Sequence, residues 1–222
     1  MTSYPCEIEG FAAVLIGNFN PSIIQPAWLA HHQLIREDEF KTAEVEIIRP
    51  EITIFRTGCL ILRVLPERFQ VDSSTGECLG PMKDFVVGIF RLLEHTPIAK
   101  FGINRNMHFR TPSAEAWHKV GHQLVPKELW QDLIDEPGTR SVTVSGKRHD
   151  SQSKFFRATV EPSVKIEHGV FVGTNEHFEV ASEPAAGNQP TIDLLASQWE
   201  ESLRFSKQVA ESIISKCLEE RS

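Results

Sequence analysis

The stretch Phe101-Gly-Ile-Asn-Arg-Asn-Met-His-Phe-Arg110 alternates large apolar and mostly polar side chains, which is the pattern of a β-strand with one buried face. Thr111-Pro112 then leads into a segment with helical spacing that carries Trp117 and the triplet His122-Gln123-Leu124. Proline does not continue a strand and is tolerated in the first turn of a helix. The sequence therefore predicts a strand that is followed directly by a helix.

The same order of elements occurs near the N-terminus. There, Val14-Leu-Ile-Gly-Asn-Phe-Asn20 runs through Pro21 into a segment that carries Trp28 and the triplet His32-Gln33-Leu34. Glycine and proline recur at turns in most proteins, so they carry little weight alone. The proline, the tryptophan and the triplet recur in one order, however, and this recurrence predicts an internal duplication.

We predict an α+β fold of two tandem pseudo-repeats that form one curved antiparallel sheet with helices packed on one face. Each repeat has the order strand, helix, three or four strands, helix, and residues 1–222 form a single domain. The first pseudo-repeat spans residues 11–96 and the second spans residues 98–220. The second contains an insertion near residues 126–148 that has no counterpart in the first. Short β-rich runs with close turn signals favour antiparallel pairing.

The apolar patterns define the expected elements. In the first half they predict a lead-in (residues 1–10), a strand (Phe11–Phe19), a helix (Ser22–Ile35), four short strands between Val45 and Val71, and a buried helix (Pro81–Leu93). In the second half they predict a strand from Ile98, the helix with Trp117, a short helix (Lys127–Ile134), a strand (Arg140–Ser145), four short strands between Phe155 and Val180, and a long helix from Pro190. Trp28 and Trp117 are expected to occupy equivalent buried sites between sheet and helix.

The composition is close to average globular usage, with 41% hydrophobic and 24% charged residues. The features below predict a cytoplasmic protein. No apolar run approaches the roughly 20 residues of a membrane helix, so no membrane contact is expected. The start of the chain, Met1–Glu9, lacks the positive flank and the apolar stretch of a signal peptide. The formal net charge of −7 and the absence of a basic stripe make nucleic acid an unexpected partner.

The four cysteines, Cys6, Cys59, Cys78 and Cys217, are scattered along the chain and contain no Cys-x-x-Cys pair. Disulfide frameworks are typical of small secreted domains, and structural zinc sites usually need paired cysteines. The spacing therefore favours reduced, mostly buried thiols over a disulfide framework or a zinc site.

The order of elements resembles the architecture of the TATA-binding protein, which has one curved antiparallel sheet, pseudo-twofold symmetry and helices on its convex face. The resemblance covers element order over most of the chain and no sequence motif. It does not imply DNA binding, because the basic surface that DNA requires is missing here. The strand Gly102-Ile-Asn-Arg-Asn106 and the closing amphipathic helix also resemble a sporadically distributed, uncharacterised bacterial protein family. That resemblance implies a fold and no activity.

Outward polar side chains of the two recurring strands are the candidate binding site. Strand alternation and the alignment of the two copies single out Asn18, Asn20, Asn104, Asn106, His108 and Arg110. If the two strands pair, these groups form a polar band that suits an acidic peptide, a nucleotide or another protein strand. The alternative is an ordinary solvated face of an antiparallel sheet. Arg105 falls on the apolar side and needs an acidic partner or a place at the strand end.

Other motifs give no catalytic residue and no cofactor. His118 and His122 have the spacing with which zinc hydrolases hold a metal, but Lys119 occupies the position of the expected acid. No third ligand is identifiable, so we predict that the chain holds no metal. If a metal were bound, His118 and His122 would be the candidate ligands. Ser151-Gln-Ser-Lys154 matches the spacing of penicillin-recognising enzymes without their other motifs, and nucleotide-binding glycine loops are absent.

These patterns favour a non-enzymatic binding or adaptor subunit of a cytoplasmic protein complex that uses the polar face of the central strands. The expected partner is another protein or a second copy of the chain. The alternative function is a sensor that binds a small anionic ligand or a nucleotide over Asn104, His108 and Arg110. A metal-dependent hydrolase that uses His118 and His122 is a third hypothesis.

Overall fold

The structure is a computed structural model that describes residues 4–149, 151–180 and 187–219, apart from the side chains of residues 151–153. Within these residues the chain has the α+β fold that the sequence predicts. Nine strands build one antiparallel sheet: β1 (Cys6–Gly17), β2 (Glu44–Arg49), β3 (Ile52–Thr57), β4 (Leu60–Leu65), β5 (Arg68–Ser73), β6 (Ile98–Arg110), β7 (Val142–Arg148), β8 (Ser151–Pro162) and β9 (Gly169–Glu179). Five α-helices accompany it: α1 (Pro26–His31), α2 (Glu37–Lys41), α3 (Leu79–Leu92), α4 (Ala114–Leu124) and α5 (Gln189–Leu218).

The order of the strands in the sheet is β2-β3-β4-β5-β1-β6-β9-β8-β7. The two recurring stretches of the sequence therefore form neighbouring strands, β1 and β6. On one side of β1 the sheet continues with β5, β4, β3 and β2, in that order. Val71 of β5 lies opposite Ala13 of β1 on one side and Leu62 of β4 on the other. Close turns between short strands produce this antiparallel order, because a parallel neighbour would need a longer crossover.

Side-chain alternation decides which side of each strand is buried. Every second residue of β4 and β5 is buried, including Leu62, Val64, Phe69 and Val71. The four apolar side chains of β6 that the sequence places on one face are also all buried: Phe101, Ile103, Met107 and Phe109. The period-two pattern thus predicts the core face of these strands correctly.

The chain divides into two compact units, and each has its own hydrophobic core. The first unit consists of Gly10–Asn104 and Glu176–Leu203. Its core joins side chains of β1, β3, β4, β5 and α3 with those of the first half of α5. Phe69 and Phe90 meet edge to face with their ring centroids 5.0 Å apart, a favoured geometry for aromatic pairs.

The second unit consists of Met1–Glu9, Arg105–Asn175 and Arg204–Ser222. Its smaller core contains Val120 of α4 and residues from the ends of other elements: Met107, Phe109, Val160, Val170, Val172, Ala210 and Ile214. Helix α5 has 30 residues, so at about 1.5 Å per residue it is long enough to supply side chains to both cores. None of the described helices combines the length and the apolar content that a membrane span requires.

Two predictions for the first half are wrong in their boundaries. The lead-in expected over residues 1–10 is a strand from Cys6 onward, and the acids of this strand have partners in β6; residues 1–3 lie outside the described residues. The helix expected over Ser22–Ile35 is reduced to Pro26–His31. Proline fits its first position, as expected, and Gln33 ends the helical region with a φ of 58°, a left-handed conformation that helices do not contain.

Two predictions for the second half also differ from the structure. The helix expected over Lys127–Ile134 is a single 3-10 turn at Lys127–Leu129 followed by further turns. Its apolar residues are mostly exposed, so no core contact stabilises a regular helix there. The four short strands expected between Phe155 and Val180 are two long strands, β8 and β9.

Trp28 and Trp117 are half-buried, so the prediction of enclosed sites is wrong in degree. Trp28 packs at the margin of the first core and Trp117 at the margin of the second. Each lies beside a histidine ring, with centroid distances of 4.7 Å to His32 and 4.8 Å to His118. The enclosed tryptophan is Trp199 of α5, which is 1% exposed.

Cys59 and Cys78 form a disulfide with their Cα atoms 6.4 Å apart. The bond ties the exposed turn between β3 and β4 to the turn that precedes α3. The prediction of reduced thiols is wrong for this pair, because the sheet brings together two residues that are 19 positions apart in sequence. It is confirmed for the other two cysteines, Cys6 and Cys217, and burial raises the pKa of the Cys217 thiol.

Reduction of this disulfide is expected to lower the free energy of unfolding by about 3 kcal/mol, because the bond restricts the unfolded chain over its separation of 19 residues. Urea unfolding with and without a phosphine reductant measures the change. Cys59→Ser should show the same loss without reductant and no further loss with it. Equal stability of the oxidised and reduced protein would contradict this expectation.

Candidate functional site

Arg105, the charged residue among the apolar side chains of β6, is paired with Glu9 of β1. Its Nη2 donates to both carboxylate oxygens of Glu9, at 2.8 and 3.0 Å, and its side chain is 9% exposed. Burial, followed by the charge of Glu9, also raises the pKa of the nearby Cys6 thiol to about 11. This cysteine is therefore protonated at neutral pH and is a poor nucleophile.

Arg110 is held by β1 in the same way. Its Nε and Nη2 donate to the two carboxylate oxygens of Glu7, at 2.7 and 3.0 Å, which is a bidentate ion pair. Hydrogen bonding to Glu7 and the charge of that residue raise the pKa of the Arg110 guanidinium. Arg110, which the sequence predicts to bind a ligand, is therefore already paired with a carboxylate of the same chain.

His108 is buried on the face that the sequence predicts to be outward, with its ring centroid 5.0 Å from that of Phe171. Its Nδ1 lies 2.8 Å from the hydroxyl of Ser163, which accepts the backbone N–H groups of Lys165 and Ile166 at 3.1 and 3.0 Å. The Ser163 oxygen already accepts two N–H groups, so its own proton is the one available for the bond to Nδ1, and this assigns the proton of the neutral imidazole to Nε2. Burial, followed by the charge of Lys165, lowers the pKa of His108.

The four asparagines of the predicted band lie in separate settings. Asn18 and Asn20 follow the end of β1 in the first unit, where Asn18 N–H donates to the carbonyl of Pro97 at 3.0 Å. The amide of Asn104 donates to a β1 carbonyl at 3.3 Å, and Asn106 is exposed. Because β1 and β6 are antiparallel, the end of β1 lies beside the start of β6. Of the six predicted residues, the four on β6 therefore follow one another at every second position of one strand, whereas Asn18 and Asn20 lie beside the start of that strand.

His118 and His122 lie on α4, as predicted, and both line a pocket in the second unit. No group of three or more side chains that could hold a metal ion occurs in the part of the chain that the structure describes. Among the described residues, these two histidines therefore have no third ligand beside them. Both histidines contribute to the lining of this pocket.

The pocket is lined by α4, the loop at residues 137–139 and the strands β8 and β9; it opens to solvent, and its volume is about 120 Å³. Its apolar lining consists of Val120, Leu124, Val160 and Val170. Polar groups reach it from the helix, the insertion and the end of β8. Such a concave, largely apolar space with a few converging polar groups is typical of a small-molecule site.

Lys127 is the residue that sets this pocket apart, because its side chain is buried at 8% exposed. Its ammonium group donates to the hydroxyl of Thr139, which donates to the carbonyl of Gly121 at 3.0 Å. Among the described residues, no carboxylate forms an ion pair with Lys127. A buried cation without an acidic partner is costly, so a bound anion would stabilise it.

Trp117 and Glu161 complete the pocket wall. The indole N–H of Trp117 donates to the carbonyl of Gly169 at 3.0 Å, which fixes the orientation of the ring. Glu161 at the end of β8 accepts the hydroxyl of Ser141 at 2.9 Å. The pocket thus presents an aromatic ring, one cation and one anion around an apolar space.

Lys127, Thr139 and Glu161 belong to no motif that would identify them in the sequence. Lys127 looks like a surface lysine in the sequence, and in the structure it is buried beside Thr139, whose hydroxyl also contacts Gly121 of α4. The one available signal is the insertion near residues 126–148, since additional segments between elements often carry function.

The free energy of unfolding is expected to fall as the pH drops below about 6.5. Below this pH, His108 takes up a proton in the unfolded chain but not in the folded chain, where its pKa is lowered. Proton uptake therefore favours the unfolded chain, and the contribution of His108 to the free energy of unfolding is fully present only above about pH 6.5. Urea unfolding between about pH 8 and about pH 5 tests this. His108→Gln should reduce the slope, whereas His95→Gln, at a side chain that is 91% exposed, should not. An unchanged slope in His108→Gln would contradict the assignment.

Comparison with known proteins adds no constraint on this pocket. No model of a known protein family matches the sequence, and no curated protein matches it either. Function has to be inferred from the contacts and charges of this chain.

Proposed function

We propose that this chain is a non-enzymatic binding protein whose pocket takes a small carboxylate with an apolar body. The observation that carries the proposal is Lys127, a buried ammonium group without an acidic partner among the described residues. A ligand carboxylate would form a charge-assisted hydrogen bond with it, which is stronger than a bond between neutral groups. The protein would then act as a sensor or carrier of a small anion, at a site different from the predicted band.

The volume of the pocket supports a ligand of about the size of benzene. An apolar cavity of about 150 Å³ binds benzene in another protein, and this pocket measures about 120 Å³ and opens to solvent. Val120, Val160 and Val170 would contact the hydrocarbon part of the ligand, next to the Trp117 ring. A branched aliphatic or an aromatic monocarboxylate suits this space.

Glu161 supports a second polar group on the ligand. Its carboxylate lines the same pocket as the Lys127 ammonium. A ligand that carries an ammonium group beside its carboxylate, as an amino acid does, would meet an opposite charge for each of its own. A simple carboxylate would use Lys127 alone.

We also propose that the two halves of the chain are tandem pseudo-repeats. The support is the strand order, in which β1 and β6 are neighbours and each is followed outward by strands of its own half. The segment near residues 126–148 has no counterpart in the first half, so only the second half would carry the pocket. A cytoplasmic location stays a prediction.

Lys127→Met is expected to weaken binding of 4-methylpentanoate by about tenfold or more, because a hydrogen bond to a charged group contributes about 1.5–3 kcal/mol. The uncharged amide of the same acid should bind the wild-type protein more weakly by a similar factor. Isothermal titration calorimetry on the full chain measures both, with benzoate as a second carboxylate. Lys41→Met, at an exposed lysine of α2, is the matched control and should leave binding unchanged.

Leucine, which adds an ammonium group to this carbon skeleton, tests the contribution of Glu161. Glu161→Gln should weaken leucine binding and leave 4-methylpentanoate binding unchanged. Circular dichroism confirms that each variant is folded. The proposal fails if folded Lys127→Met binds the acid as tightly as the wild type, if acid and amide bind equally, or if neither carboxylate shows saturable binding up to about 10 mM.

A further inference from the structure

Leu129, Trp130, Leu133 and Ile134 form an exposed apolar surface within the insertion, here named the insertion ridge. Their exposed fractions are 73%, 43%, 78% and 51%, although such side chains are usually buried. Exposed apolar residues that occur singly need no explanation, but these four fall within six consecutive positions. An apolar cluster of this kind on a protein surface is typical of an interaction site.

The backbone holds the ridge in a compact turn. The N–H groups of Leu133 and Ile134 both donate to the carbonyl of Trp130, at 2.8 and 2.9 Å. Beside the ridge lies a groove of about 340 Å³ whose apolar lining includes Val125, Trp130, Ile134 and Pro137. A ridge next to a groove suits a helix that presents apolar side chains at successive turns.

Four acids and one exposed cation, Arg140, lie within the ridge or next to it in sequence. Glu128, Asp132, Asp135 and Glu136 are exposed, and none of them forms an ion pair with another residue that the structure describes. Lys127 is buried and lines both the pocket and the groove, and Arg140 lines the groove together with the acid Glu136, so the acids of the ridge outnumber the exposed cation. Unpaired acids around an apolar centre select a partner that carries positive charge at its margins.

We propose that the insertion ridge docks an amphipathic helix of a partner protein, one whose apolar stripe is bordered by lysine and arginine. Trp130, which both belongs to the ridge and lines the groove, would be the central anchor, since tryptophan is enriched among the residues that dominate binding energy. A second copy of this chain suits the surface poorly, because the acidic ridge would face itself and the chain has a net charge of −7. This interaction is additional to carboxylate binding and does not depend on it.

Two synthetic peptides of equal length test the proposal with the full chain. One is an amphipathic helix with leucine on one face and lysine on the other, and in the second peptide glutamate replaces lysine. Fluorescence anisotropy of the labelled peptides is expected to show saturable binding of the lysine peptide, at least about tenfold tighter than that of the glutamate peptide. The combined change Asp132→Asn and Asp135→Asn should weaken this binding and reduce its dependence on salt.

Leu133→Ser is expected to weaken binding of the lysine peptide by about tenfold or more, and to leave folding intact because Leu133 is 78% exposed. Val164→Ser, at a residue that is 95% exposed and outside the ridge, is the matched control and should bind normally. Both variants keep Lys127, so binding of 4-methylpentanoate is expected to be unchanged. A failure of docking and a failure of carboxylate binding are therefore distinguishable.

Three results would overturn the docking proposal. The first is equal affinity for the two peptides, or no saturable binding below about 1 mM. The second is normal binding of the lysine peptide by Leu133→Ser. The third is self-association of the wild-type chain in analytical ultracentrifugation that Leu133→Ser abolishes, which would identify a second copy as the occupant of the ridge.

Discussion

The pairing of β1 with β6 determines what the polar side chains of these strands can do. Glu7 of β1 pairs with Arg110 of β6, which follows it by 103 residues in the chain. Glu9 of β1 pairs with Arg105, which follows it by 96 residues. Arg105 is buried, so loss of its acid would leave a charge in a place where water cannot compensate for it. Internal ion pairs therefore hold two cations of the strand that the sequence predicts to bind a ligand, and the pocket that we propose lies elsewhere in the second unit.

The parts of the fold that the sequence predicts are those that depend on local periodicity. Alternation defines β3, β4 and β5, and an apolar stripe defines α3 and α5, because these patterns are complete within each segment. The features that the sequence does not predict depend on residues that come into contact only in the folded chain. Examples are the disulfide between Cys59 and Cys78, the burial of Lys127 under a loop, and the acid that accepts Arg105. Single positions carry no periodic signal of such contacts.

The insertion contributes to two different surfaces of the second unit. Lys127 and Thr139 belong to the pocket, whereas Leu129 and Leu133 between them in sequence are exposed. A short turn therefore separates a group that would contact a bound anion from groups that would contact a partner.

The positions of the four tryptophans provide the chain with its own optical reporters. Trp117 lines the pocket and Trp130 belongs to the insertion ridge, whereas Trp199 is enclosed in the core of the first unit. Indole emission responds to the polarity around the ring, so a ligand beside Trp117 and a helix over Trp130 would change different contributions to the spectrum. Replacing either ring by phenylalanine separates the two signals, and an unlabelled sample then reports occupancy of the pocket and of the ridge independently.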